Sequence, residues 1–194
     1  MEFNGRVIAG ARRNRGDQVI FRVAKRRGLA RSAGRELFAE AVRQARTADL
    51  YAVMGVPDTV EGRFELLTLH VILLVEALRM LGQDAAPSAQ TLFDAYVSDL
   101  DGALREMGVG DLTVGKRMRA LGGAFYGRAA AYREALAALP DRLPLEELIA
   151  RTILSGTAGA DPSALAGYVA DCHRVLTETG PDTLLGARPS WPLR

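Results

Sequence analysis

The sequence predicts an all-α fold, a single-domain bundle of about six helices around an apolar hub helix. Three observations predict it. Apolar residues recur at three- and four-residue spacing along most of the chain, no window sustains the alternation of a strand, and Pro, Gly and capping acids punctuate the pattern at helix-length intervals. With 194 residues and 48% hydrophobic content, the chain can bury one sizeable core.

The elements follow in order. Residues 1–30 show no clear period beyond Val19-Ile20-Phe21 with Val23, and read as a basic arm that is flexible or that orders on a partner. From about residue 32 to 48, Phe38, Val42 and Ala45 share a helical face. Gly55-Val-Pro-Asp58 is a turn, because Pro57 fixes its own φ and biases Val56 away from the helical region. Asp58 and Glu61 stand at capping-box spacing, with Asp in place of Ser or Thr. The hub helix is expected from about Thr59 to Leu81, closed by Gly82 as its C′ residue. Its centre is apolar on nearly every face, which marks a helix buried all round, with Leu66, Leu69, Leu73 and Leu74 in the core. A membrane crossing fits poorly. Glu65, His70, Glu76 and Arg79 interrupt the run, and its longest unbroken apolar piece, Val71 to Val75, falls far short of the ~20 residues a bilayer requires.

A third helix follows Pro87, with Phe93, Tyr96, Leu100, Leu104 and Met107 on one face. Gly108-Val-Gly110 breaks it, and Asp111 is placed to cap a fourth helix carrying Val114, Met118, Leu121, Phe125, Tyr132 and Leu136. Pro140 and Pro144 mark a loop before a fifth helix that begins at Leu145. Asp161 as N-cap and Pro162 at N1 open a sixth. Three prolines after Gly180 make 181–194 an irregular tail. The domain plan is therefore an arm over 1–30, a helical domain over 31–180 and that tail.

Charge is uneven along the chain. Residues 1–35 hold ten Lys and Arg against Glu2 and Asp17, while the remainder holds fifteen against twenty-one acids. A basic arm on an acidic body seeks phosphate, on an anionic membrane or on ribosomal RNA. The basic residues are Arg except Lys25 and Lys116, which together with abundant Ala and Gly points to GC-rich coding and a bacterium. The arm is also Arg-rich and acid-poor, as transit peptides are, so an organellar leader stays open. The single Cys172 excludes an internal disulfide, and two His with one Cys are too few for a zinc site, so no metal or cofactor is expected.

Four constellations bear on chemistry. Gly110 to Lys116 matches G-x-x-x-x-G-K, but Arg117 stands where a P-loop requires Ser or Thr, and a helix rather than a strand precedes it. An interhelical turn is the better reading. Asp171-Cys172-His173 puts a thiol beside an imidazole, yet neighbours on a helix point apart. Asp94 and Asp101, seven apart, form an acidic face, either solvated or docking basic groups. Gly122, Gly123 and Gly127 cost a helix roughly 1 kcal/mol each relative to Ala, which implies close backbone approach by a helix or ligand.

The stretch YAVMGVPDTVEGRFELLTLHVILLVEALR, followed by LFDAYVSDLDGALREMGVGDLTVGKRMRALGGAFYGRAAAYREAL, resembles the ubiquinol–cytochrome c chaperone family over residues 35–140. The GVPDT, GRFELL, LREMGVGD and FYGR strings carry the resemblance. It implies a non-enzymatic assembly factor for the cytochrome bc1 complex that receives newly made cytochrome b or another bc1 subunit. It also implies a place at the cytoplasmic face of a bacterial inner membrane, or the matrix side in mitochondria, and a small protein partner. No catalytic residue follows from it. Residues in or beside these strings become the candidate binding set: Phe64, Phe125 and Tyr126 for an apolar groove, and Arg63, Asp94, Asp101, Arg105, Asp111, Lys116 and Arg128 for a charged rim. His70 joins them, either as a core residue or as a polar group on the binding surface. The competing class is a helical carrier or enzyme for an apolar lipid or quinone. A closed pocket would favour that class, and an open groove rimmed by charge would favour a chaperone.

Overall fold

The computed structural model describes residues 32–157 and 159–192, which form eight helices and no strand. The basic arm of residues 1–30 lies outside the described residues. Helix α1 spans residues 32–45. It is followed by α2 (Ala48–Ala52), α3 (Val60–Met80), α4 (Ala86–Glu106), α5 (Asp111–Ala137), α6 (Leu143–Arg151), α7 (Ser163–Glu178) and α8 (Pro181–Leu185).

Helix α3 is the hub. Every residue from Thr68 to Leu74 is buried, close to two full turns with no solvent face. Leu66, Leu69, Leu73 and Leu74 are all in the core, as their pattern predicts. A helix apolar all round can satisfy itself only when neighbours cover every side. Here α4, α5 and α7 do so, and α6 closes the shell between α5 and α7.

The helix ends follow local chemistry, with four corrections to the sequence-based expectation. The N-cap of α3 is Thr59, not Asp58: its extended backbone aims the side-chain oxygen at Gly62 N–H, 3.1 Å away. Asp58 instead accepts from Arg63 Nε at 2.6 Å on the exposed side. Pro87 and Pro144 lie inside the first turns of α4 and α6 rather than before them. First-turn N–H groups have no helical partner, so proline loses nothing there. Likewise α5 begins at Asp111, with Gly110 in the N-cap position. At the far end of α3, Gly82 takes φ +83° as expected of a C′ glycine.

The tail is the fourth correction. Pro181 opens the short α8, Leu184 is buried, and the chain returns Trp191 to the core. Its prolines start structure because they sit at a helix N-terminus and between turns, where no N–H is missed.

Candidate functional site

A groove of about 1040 Å³ opens where α1 and α2, the first turns of α3 and the second half of α4 fail to close on one another. Ala45, Ala48 and Ala103 face this space, and their small side chains leave it unfilled. Phe64 and Leu67 of α3, Leu100 and Leu104 of α4 and Leu121 of α5 make its floor. Val60 and Met107, 65% and 58% exposed, stand at its borders as large apolar side chains in water. Such exposure costs free energy unless something covers it.

Charge surrounds the floor. Asp58 and Arg63 pair at one edge, and the guanidinium of Arg63 holds the Asp58 carboxyl below its usual range. Glu65 is held by Arg128 of α5, whose Nε donates to Oε2 at 2.7 Å. Glu61, Asp99 and Arg46 also line the opening. Tyr51 donates its hydroxyl to Ala45 O at 2.6 Å, which pins α2 against α1 at the groove wall.

The eleven sequence-derived candidates separate into groups. Arg63 and Phe64 line the groove. Asp94 lines a neighbouring depression between α1 and α4 and accepts from Gln90 at 2.8 Å. Asp101 and Arg105 pair with each other at 2.7 Å on the outer face of α4. Arg128 supports the groove through Glu65. Lys116 is exposed on α5, and the side chain of Asp111 lies outside the described residues. Phe125 and Tyr126 part company: Phe125 is 3% exposed and packed against Phe93 and Tyr96, while Tyr126 is 65% exposed. Adjacent residues on a helix point about 100° apart, so only one of the pair can face the core.

His70 is a core residue. Its Nδ1–H donates to Leu66 O at 2.7 Å, and its Nε2 accepts from the Tyr168 hydroxyl at 2.7 Å. Gln44 Nε2 donates to the same hydroxyl at 3.0 Å, so one polar chain ties α1, α3 and α7 together. Burial pushes the imidazole down to about 4, against the Leu66 carbonyl that favours the cation. No client can touch it while this core is closed.

Two other constellations take structural roles. Cys172 is buried, and burial pushes its thiol up to about 12, so a reactive thiolate is disfavoured. The G-x-x-x-x-G-K match is wound into α5 from Asp111 onward, so its later N–H groups serve the helix instead of cradling phosphate. Among the described residues, no three His, Cys, Asp or Glu side chains gather as a metal site, and no helix is long and apolar enough to cross a membrane.

No other helix makes the close approach expected at Gly122, Gly123 and Gly127. A Cβ built at any of them meets nothing within 4 Å. Close approach occurs instead at Gly34, where a Cβ would lie 2.6 Å from Thr91 Cβ and α1 presses on α4. The groove residues that sequence reasoning missed are chiefly Leu100, Leu104 and Met107. Their helical spacing was visible, but it marks a face that meets apolar surroundings without saying whether protein or groove supplies them.

A model of the family described as ubiquinol-cytochrome C chaperone matches residues 52–191. The match thus extends through α6, α7 and α8, beyond residue 140, where the legible resemblance ends. The crystal structure of the Cbp3 homolog from Brucella abortus is similar, with a TM-score of 0.76 and 33% sequence identity over 90% of this chain and 94% of that one. No curated protein matches the chain.

Proposed function

The chain belongs to the ubiquinol-cytochrome C chaperone family, and from that membership we propose that it holds an apolar segment of newly made cytochrome b during assembly of the cytochrome bc1 complex. The observation that carries this reading is the open groove with an apolar floor, exposed Val60 and Met107, and a rim of both charge signs. An apolar client helix laid in it removes surface from water at roughly 25 cal/mol per Å². The charged rim sets orientation more than affinity. Holding is the whole task, with no catalysed step. The groove's openness favours this over an enclosed site for a lipid or quinone.

The proposed place of action is the cytoplasmic face of a bacterial inner membrane. Residues 1–35, with eight more basic than acidic residues, supply attraction to anionic lipid of ~1 kcal/mol per basic residue near the surface, weakening with salt. Val60→Asp combined with Met107→Asp tests the groove. Both positions are exposed, so the circular dichroism spectrum should stay helical. In a strain lacking the wild-type copy, cytochrome b and assembled bc1 complex should fall several-fold. Normal levels in that strain would exclude the groove as the client site.

A further inference from the structure

At 27 residues α5 is the longest helix, and its outward side differs from that of its neighbours. Counting about 100° per residue, Lys116, Arg119, Gly123, Tyr126, Gly127 and Ala130 fall within an arc of about 100°. All six are exposed. Val114, Phe125, Ala129, Tyr132 and Leu136 point the opposite way and are buried. From Lys116 to Ala130 the exposed face runs roughly 21 Å at 1.5 Å per residue. Leu121, the α5 residue on the groove floor, stands about 140° round the helix from Lys116. The face is therefore separate from the client groove.

Its charge is of one sign. Between residues 112 and 133 the sequence holds five basic residues and no acidic one, and Glu134 is the first acid beyond them. Arg128 and Arg133 are held by Glu65 and Glu76 of the hub. Lys116 and Arg119 on the face, and Arg117 beside them, have no ion-pair partner among the described residues. The neighbouring surfaces are different. Helix α4 exposes Asp94, Asp99 and Glu106, and on α7 Arg174 is already paired with Asp171 and Glu178.

Beyond the cations the face is flat. A Cβ built at Gly123 or Gly127 would meet nothing within 4 Å, so the helix backbone itself can come close to an extended surface. Tyr126 is 65% exposed while its ring leans on Phe93, with centroids 5.7 Å apart, which holds a phenol at the edge of the face. A basic end, a flat middle and a fixed tyrosine match the headgroup zone of an anionic bilayer, where phosphates attract Lys and Arg and amphipathic rings settle. An RNA backbone would call for cations along the whole face rather than at one end.

We propose that α5 lies along an anionic membrane surface, with Lys116 and Arg119 on lipid phosphates and Tyr126 at headgroup level. Repulsion of Asp94, Asp99 and Glu106 opposes the rolled-over orientation that would set α4 on the lipid. The groove, on another side of α5, stays uncovered for a client. This inference rests on the proposed place of action at the membrane and deepens it, by giving the folded domain a contact of its own besides residues 1–35.

The test uses the full chain carrying an NBD fluorophore at Gly123→Cys, with vesicles of phosphatidylcholine and phosphatidylglycerol. The native Cys172 is buried and stays unlabelled. On adding vesicles, emission from position 123 should shift to the blue and become shielded from aqueous iodide. The same label at Arg174→Cys on α7 should stay in water. Lys116→Glu with Arg119→Glu, both at exposed positions, should lower the shielded fraction at 123 about tenfold. Equal shielding at 123 and 174, a response indifferent to the charge reversal, or the same shielding by ribosomal RNA without lipid would each overturn the α5 contact. Co-sedimentation with vesicles while the label at 123 stays silent would overturn it too, and leave the membrane location to residues 1–35. No co-sedimentation at all would remove the location together with the contact.

Discussion

At His70 the fold takes a group that titrates near neutrality and keeps it uncharged. Its two ring nitrogens are already committed, one donating to Leu66 O and one accepting from Tyr168, and a second ring proton would face a hydroxyl already oriented to donate. The consequence for stability has a definite sign. The unfolded chain takes up a proton near pH 6.5, while the folded protein resists until about 4. Stability is therefore full above pH 6.5 and declines as pH falls toward 4, by about 3 kcal/mol at ~1.4 kcal/mol per unit. His173, also lowered by burial, acts in the same direction. His70→Leu should flatten most of that slope in urea-unfolding midpoints measured from pH 8 to 4, while lowering stability at pH 8 by stranding the Tyr168 hydroxyl. Parallel slopes for variant and wild type would refute the buried neutral state. Nothing local in the sequence could have assigned this residue. A histidine among leucines looks the same in a core or on a client surface, and Tyr168, which decides the matter, is 98 residues away.

At the scale of helices, periodicity served well because burial itself is periodic. Punctuation served less well. Proline was expected to precede α4 and α6, yet a first turn has no N–H bond for it to break. Glycine was ambiguous for a deeper reason: the sequence reports a missing Cβ but not what stands on that side of the helix. The structure separates the two cases. Gly122→Ala, Gly123→Ala and Gly127→Ala add a methyl into open space and should each stabilise by about 0.5–1 kcal/mol. A chain of this size should then gain about 2–4 °C in melting temperature per kcal/mol. Gly34→Ala should do the reverse, since Ser88 O and Leu92 N also lie within 2.8 Å of the new carbon. A destabilised Gly123→Ala would mean that α5 packs against something in solution after all.

Across the whole molecule, the hub is fastened to α5 at two levels, by Glu65 with Arg128 and by Glu76 with Arg133. Burial alone would raise the Glu76 carboxyl. Hydrogen bonds from Arg133 and Arg79 outweigh it and hold the group below its usual range. Arg133→Ala leaves Arg79 as the remaining partner and should cost about 1–2 kcal/mol in chemical denaturation, the lower part of the range for stranding a buried charged group. A loss below 0.3 kcal/mol, the size of an ordinary surface pair, would show that Arg79 suffices. The site was less legible than the fold because its walls come from separate elements, with Ala45 and Leu104 brought to one opening. Arg63 and Phe64 were found because they lie in the GRFELL string that carries the family resemblance. The opposite wall needed the tertiary structure. One further consequence lies in the tail. Trp191, the chain's single tryptophan, is 8% exposed and meets the His70 ring edge-on with centroids 5.4 Å apart. An indole shielded from water fluoresces toward the blue, and a neighbouring imidazolium quenches it. The segment after α8 thus carries an optical gauge of its own docking: emission colour reports whether it is seated, and emission intensity reports whether the histidine beneath it has gained a proton.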